Sequence, residues 1–231
     1  MRTTKRRYCS NTCAQRAVRQ RRRREPHPVT GSSAVPFGLT QSSDDDAAGW
    51  RRLHADAVAR LQSWEAPDDQ QERLRLDFLE HLRAHPDAMS KAGPPAHLTG
   101  SVIVLDEEGD AALLTLHRRA REWFQFGGHF EPGDASVWHA ARREAREESG
   151  ISDISVPPTI VQLDRHVLSG DFGRCREHLD IRFAAVTPRS AASAVSAESI
   201  DVRWWPVDAL PEGTGDDLRP LVDAARRLLP R

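Results

Sequence analysis

No apolar run in this sequence approaches the roughly 20 residues that a membrane-spanning helix needs. The N-terminus is basic, but no apolar stretch follows it, so a secretory signal is not expected. Cysteine is scarce: Cys9, Cys13 and Cys175 cannot make a disulfide framework. Hydrophobic residues reach only 39%, low for a compact domain, while charged residues make up 29%. Part of the chain is therefore expected to be solvated tail or linker. What remains is a cytoplasmic protein whose 231 residues hold one enzyme-sized domain and extra pieces.

The net charge of -1 conceals an asymmetry. Residues 1–24 carry ten bases (Arg2, Lys5, Arg6, Arg7, Arg16, Arg19, Arg21, Arg22, Arg23, Arg24) and no acid. Removing those from the 33 Lys and Arg leaves 23 against 34 acids, so residues 25–231 total -11. The arm has the charge to meet phosphates. The acidic body would need a metal to handle them.

Residues 1–24 form a basic arm, expected to be disordered, and residues 25–44, rich in Pro, Gly and Ser, read as a linker. Trp50, Leu53, Ala57, Leu61 and Trp64 then recur at helical spacing, with Asp44, Asp45 and Asp46 suited to that helix's N-terminus. Ala66-Pro67 breaks it. Leu74, Phe78 and Leu82 mark a second helix that His85-Pro86 stops, so residues 45–92 read as a helical hairpin. From Leu98 the pattern changes. Residues 101–106 and 111–117 read as strands joined by a turn, and residues 123–126 as a short third strand. Apolar segments at 160–167, 178–186 and 202–206 precede a helical pattern at 218–229. Strands around one central helix, with a closing helix, predict an α/β/α sandwich over residues 98–231.

The central helix carries the chemistry. Gly127-Gly128-His129-Phe130-Glu131-Pro132-Gly133-Asp134 ends a strand and leads into a helix over residues 137–149. Asp134 suits its N-terminus, and Gly150 suits a left-handed residue after its end. Val137, Ala141 and Ala145 make an apolar stripe, while Glu144, Glu147 and Glu148 gather their carboxylates on another face. Like charges at that spacing repel. Alone they make an ordinary solvated face, but a hard divalent cation would hold all three, and oxygen ligation selects Mg²⁺ or Mn²⁺ over zinc.

This segment resembles the Nudix box, whose pattern is Gly, five residues, Glu, seven residues, then REUxEExGU with U apolar. Arg143-Glu144-Ala145-Arg146-Glu147-Glu148-Ser149-Gly150-Ile151 fits every position of the second half. The first half departs: five residues after Gly128 stands Asp134 rather than Glu, and eight residues rather than seven separate it from Arg143. Asp134 is either that carboxylate's shorter replacement or only a cap. The resemblance extends over about residues 98–229 and implies a Nudix-like sandwich with a mixed sheet. It also implies Mg²⁺-dependent hydrolysis of a pyrophosphate bond in a nucleoside-diphosphate-linked substrate. On this reading Glu144, Glu147 and Glu148 bind the metal, and Arg143 orients a glutamate. Nudix enzymes often add a carboxylate from a loop outside the box, and Glu198, before Asp201, is the candidate for metal ligand or base.

Gly127 and Gly128 would let substrate approach closely. Arg118, Arg119 and Arg121 either hold phosphate or edge a solvated hairpin. His178 and Asp180 share one strand face, and His129 and His166 come near in such a sandwich. His129 and His178 either hydrogen-bond substrate or are satisfied by neighbours. No zinc spacing is recognisable among the ten histidines and scattered cysteines. Trp204 and Trp205 read as core. Residues 8–24, with Cys9 and Cys13, resemble half of a short bacterial zinc finger that leads into a basic helix. A second function of a different class is thus a Nudix-fold ligand sensor or regulator that binds nucleic acid through residues 1–24.

Overall fold

The computed structural model describes residues 39–168 and 175–229, with side chains from residue 44 onward. The basic arm, its zinc-finger likeness and its nucleic-acid role lie outside the described residues.

Helix α1 spans Leu39–Ser63 and α2 spans Asp69–Ala84. The first begins earlier than its apolar spacing indicated, so residues 39–44 are helix rather than linker. Asp44, Asp45 and Asp46 consequently lie inside α1, exposed, and do not cap it. Asp68 caps α2 by accepting from the Gln71 amide at 2.9 Å.

Strands β1 (Ala96–Leu105), β2 (Ala111–His117), β3 (Trp123–Phe124) and β4 (Phe126–His129) precede helix α3 (Val137–Ser149). Then come β5 (Gln162–Val167), β6 (Glu177–Val186), β7 (Ser199–Pro206) and helix α4 (Leu218–Arg226). The mixed sheet runs β3-β2-β1-β6-β5, with β7 also on β2 and β4 also on β1. Only β1 and β6 pair in parallel among these strands. The segment expected as one strand at 123–126 divides at Gln125. Its first part pairs with β2, and its second runs through the two glycines to pair with residues 99–102 of β1.

Alternation along β1 sorts the molecule into layers. Leu98, Val102 and Val104 face α1, α2 and α3 with Leu53, Ala57, Leu61, Phe78, Val137 and Ala141 in one core. Ile103 and Leu105 face α4 with Leu218, Leu221 and Val222 in the other. Trp204 packs on the first and Trp205 on the second. His97, Thr99 and Ser101 share the α4-side face of β1 but lie beyond its reach, so that half of the face is polar.

The helical hairpin is not a separate unit. It shares its core with the sheet, and Gln71 of α2 pairs with the backbone of Leu163 on edge strand β5, at 2.7 and 3.1 Å. That contact covers an otherwise unpaired edge. Asp56 of α1 accepts from the Val137 amide at 2.8 Å, and Arg52 donates to the carbonyls of Pro132 and Asp134 at 3.0 and 3.1 Å. The hairpin therefore holds both the N-terminus of α3 and the loop before it. No described helix is long and apolar enough to cross a membrane.

Candidate active site

Helix α3 is bounded by its own sequence. Ser136, rather than Asp134, is the N-cap, its hydroxyl accepting from the His139 amide at 3.2 Å. Gly150 ends the helix at φ 74°, a left-handed conformation that costs a side chain about 1–2 kcal/mol. Burying Val137, Ala141 and Ala145 fixes the rotation of the helix, and with it the direction of the three glutamates.

Glu144 and Glu148 are buried, whereas Glu147 is half exposed. One Glu148 oxygen accepts from the Gly127 amide at 3.1 Å. Oε1 of Glu144 accepts from Arg143 at 2.9 Å, but its Oε2 is buried without a hydrogen bond. A Cβ on Gly128 would lie 2.8 Å from the Glu144 carboxylate, so only glycine admits it here. Burial raises the Glu144 pKa to about 7; Arg143 opposes the shift, and the charges of Glu147 and Glu198 add to it. Burial, then the Glu144 charge, pushes Glu148 well above the usual carboxylate range, with Glu198 and Glu147 adding to the rise. Two buried carboxylates with an orphaned oxygen, backed by glycine backbone, fit a hard divalent cation.

Arg143 is the brace of this group. It grips both oxygens of Asp134 at 2.9 Å, reaches the His129 carbonyl at 3.2 Å and lies 3.5 Å from Glu147. Burial works against its charge, but Asp134 and Glu144 outweigh that and raise its pKa. Asp134 is thus an anchor for Arg143 and, through its other bond to the Glu131 amide at 2.8 Å, for the loop.

Glu198 is buried in the loop before β7, and its charge reaches Glu144 and Glu148. Arg118 is engaged by the loop before β7. Its guanidinium donates to the carbonyls of Ala197 and Ser199 at 3.3 and 2.8 Å, and its amide to that of Glu198 at 2.9 Å, which fastens the loop. A phosphate ligand at this position would have to compete with those carbonyls.

A cleft runs from Glu148 past Gly127 and Gly128 along the polar half of the sheet to His129, His166 and His178. Thr115, His117, Phe124 and Gln125 form its other side. Asp180 lines it too, but accepts from Thr99, Ser101 and Arg182 at 3.1, 2.7 and 3.0 Å and so is occupied. His129 and His178 turn toward each other and toward His97. Burial pushes the His129 pKa down to about 4 and His178 well below the ordinary range.

The sequence reading did not pick out His97, His117, Phe124 or Gln125. A signal for His97 was present: His97, Thr99 and Ser101 alternate with Leu98 and Gly100, a polar face on a strand that had been started too late.

The family model for the NUDIX domain matches residues 95–230. Among curated proteins none matches this chain. Among solved structures the chain is similar to a NUDIX-family hydrolase from Clostridium perfringens, with 23% identity and a TM-score of 0.45, over 57% of this chain and 97% of that one. It is also similar to an Ap4A hydrolase from C. elegans, with 16% identity and a TM-score of 0.48, over 57% and 96% of the two chains. The NUDIX domain of Shewanella oneidensis NrtR, complexed with ADP ribose, shares 22% identity with a TM-score of 0.42, over 58% and 88%.

Proposed function

The chain belongs to the NUDIX family and is a hydrolase of that family, and from that premise we propose that it cleaves the pyrophosphate bond of a nucleoside-diphosphate-linked substrate. The observation that carries this reading is the trio of glutamates on α3, two of them buried against Gly127 and Gly128 and one, Glu148, lining the cleft. Glu144, Glu147 and Glu148 would hold Mg²⁺, with Mn²⁺ as the alternative. A divalent ion held by them would supply charge neutralisation for the diphosphate and a lowered pKa for the attacking water.

The chain's own groups do the rest. Gly127 and Gly128 let Ser101 and the Glu144 carboxylate lie against the backbone, and the amide of Gly127 orients Glu148. Arg143 holds Glu144 in place by a charge-assisted bond. Glu198 takes a proton as the water oxygen attacks phosphorus, and the bridging P–O bond breaks in line, giving a nucleotide and a phosphorylated second product. Arg118 acts one step back, by fixing the Glu198 loop. Phe124, His117 and Gln125 offer stacking and hydrogen bonds to the non-phosphate part of the substrate. The working unit is residues 39–229, hairpin included, because α1 holds the front of α3.

The test is Mg²⁺-dependent hydrolysis of nucleoside di- and triphosphates, nucleotide sugars, dinucleoside polyphosphates and ADP-ribose. Release of a nucleotide from one class, abolished by chelation, is the expected result. No turnover of any class with either Mg²⁺ or Mn²⁺ would remove the proposal.

A further inference from the structure

At the end of the cleft away from α3, three histidines from three strands meet. His97 opens β1 and stands opposite His178 in the parallel pair with β6. His129 closes β4, opposite Thr99 and therefore one pleat along the same face. Their ring centroids are 5.0–5.1 Å apart in every pair. One ligating nitrogen from each lies within 4.8 Å of the others. No ring is more than 7% exposed. Cys175, only 3% exposed, sits close enough to His129 and His178 to favour their protonated forms.

Hydrogen bonds help to orient these rings toward one another. Nδ1 of His97 lies 3.2 Å from the Pro94 carbonyl, which can only accept, so that nitrogen carries a hydrogen and, in the neutral ring, Nε2 holds the lone pair. Nε2 of His129 faces that lone pair at 3.0 Å. Nε2 of His178 is buried without a hydrogen bond. Burial favours the neutral form of His129 and His178, the form in which imidazole binds metals. A carbonyl on the far nitrogen of one ring is also the usual way a metal-binding histidine is oriented.

We propose that His97, His129, His178 and Cys175 bind one transition-metal ion of the zinc type, at a site distinct from the carboxylates of α3. Three imidazoles and a thiolate are four ligands, the number of a closed tetrahedral zinc site, and their softness excludes Mg²⁺. Zinc–nitrogen bonds of about 2.0–2.1 Å place tetrahedral nitrogens about 3.3 Å apart. The three nitrogens, within 4.8 Å of one another, need only side-chain rotation to reach that spacing, and the Cys175 thiol beside His129 and His178 would turn in as the fourth ligand. The ion would pin β1, β4 and β6 together at the floor of the cleft, and would join Cys175 to them.

The test uses the full chain carrying Cys9→Ser and Cys13→Ser, which leaves Cys175 as the single cysteine. After chelation, Co²⁺ is titrated in as the probe. One equivalent should give the visible bands of tetrahedral cobalt with a thiolate-to-cobalt charge-transfer band, both displaced by Zn²⁺. Carboxylates cannot produce that band, so filling of the α3 site is not mistaken for it. Cys175→Ser should abolish the charge-transfer band, and His97→Gln should weaken Co²⁺ binding at least about tenfold. Absence of the band in the parent, or an unchanged band and affinity in both variants, would overturn the site. Should a variant lose its circular-dichroism signature, the parent decides through a second measurement. Zn²⁺ should slow alkylation of Cys175 at least about tenfold, and an unchanged rate would overturn the proposal equally.

Discussion

Beside Gly127 and Gly128 of β4 stand the carboxylates of Glu144 and Glu148, and at the strand's last residue, His129, begins a group of imidazoles. One group is acidic and comes mostly from a single helix. The other is basic and comes from three strands. Burial acts on both by the same rule and in opposite directions: it raises Glu144 to about 7 and lowers His129 to about 4, in each case toward the uncharged form. A cation would offset the cost of charging the carboxylates, whereas the uncharged rings offer it lone pairs. The two groups differ in the cation that suits them, hard for the oxygens and softer for nitrogen and sulfur.

The sharpest way to break the comparison is to remove charge from the carboxylates alone. Glu147→Gln and Glu148→Gln should each lower turnover at least about 10²-fold, or about 2.7 kcal/mol of barrier, without unfolding the chain. Near-normal Mg²⁺-dependent turnover in both would show that the helix carboxylates are not the catalytic group. Glu198→Gln should come next, lowering kcat by roughly tenfold to a hundredfold with KM changed far less, and altering the pH–rate profile. A purely structural loop residue would leave that profile where it was.

A third effect concerns stability. With Glu144 raised from 4.5 to about 7, the metal-free folded chain keeps a proton that the unfolded chain has released. Stability from this group therefore falls as pH rises through that window. Melting of the chelated protein at pH 5 and pH 7.5 should show the loss, and saturating Mg²⁺ should restore stability at the higher pH. In Glu144→Gln the metal-free chain should melt a few degrees higher at pH 7.5, where roughly 1 kcal/mol moves Tm by about 2–4 °C. An unchanged or lower Tm would mean that the carboxylate is not strained there. The smallest effect is expected at the far N-terminus. Both groups lie within residues 97–198, so deletion of residues 1–38 should change turnover by less than about twofold. A larger loss with the fold retained would bring the basic arm into the active site.

The same contrast explains what the sequence disclosed. Glu144, Glu147 and Glu148 are set by the helical repeat, a local rule, so α3 and its carboxylate face could be read directly. The two hairpin helices were readable for the same reason, through Leu53, Ala57 and Leu61 and through Leu74, Phe78 and Leu82. The imidazole cluster depends on register between β1, β4 and β6, which places His97 beside a residue 81 positions away. No local period encodes that. The first strand reads from Ser101, whereas β1 begins at Ala96, because Thr99 and Ser101 face the cleft and His97 the imidazoles, which interrupts the apolar pattern that marks strands. The role of Arg118 stays open in the sequence, because a guanidinium that clamps backbone carbonyls has the same signature as one that binds phosphate.

The bond from Asp56 to the Val137 amide spans 81 positions, and it has a consequence for the order in which the protein assembles. During synthesis α1 and α2 leave the ribosome well before the segment they cap. Their apolar faces, with Leu53, Leu61 and Phe78, then have no sheet to lie on until β1 and α3 have been made. Closure of so long a loop is slow relative to the formation of either helix. Helix α3 is thus completed late, and the interval before it is when the nascent chain is most exposed to aggregation.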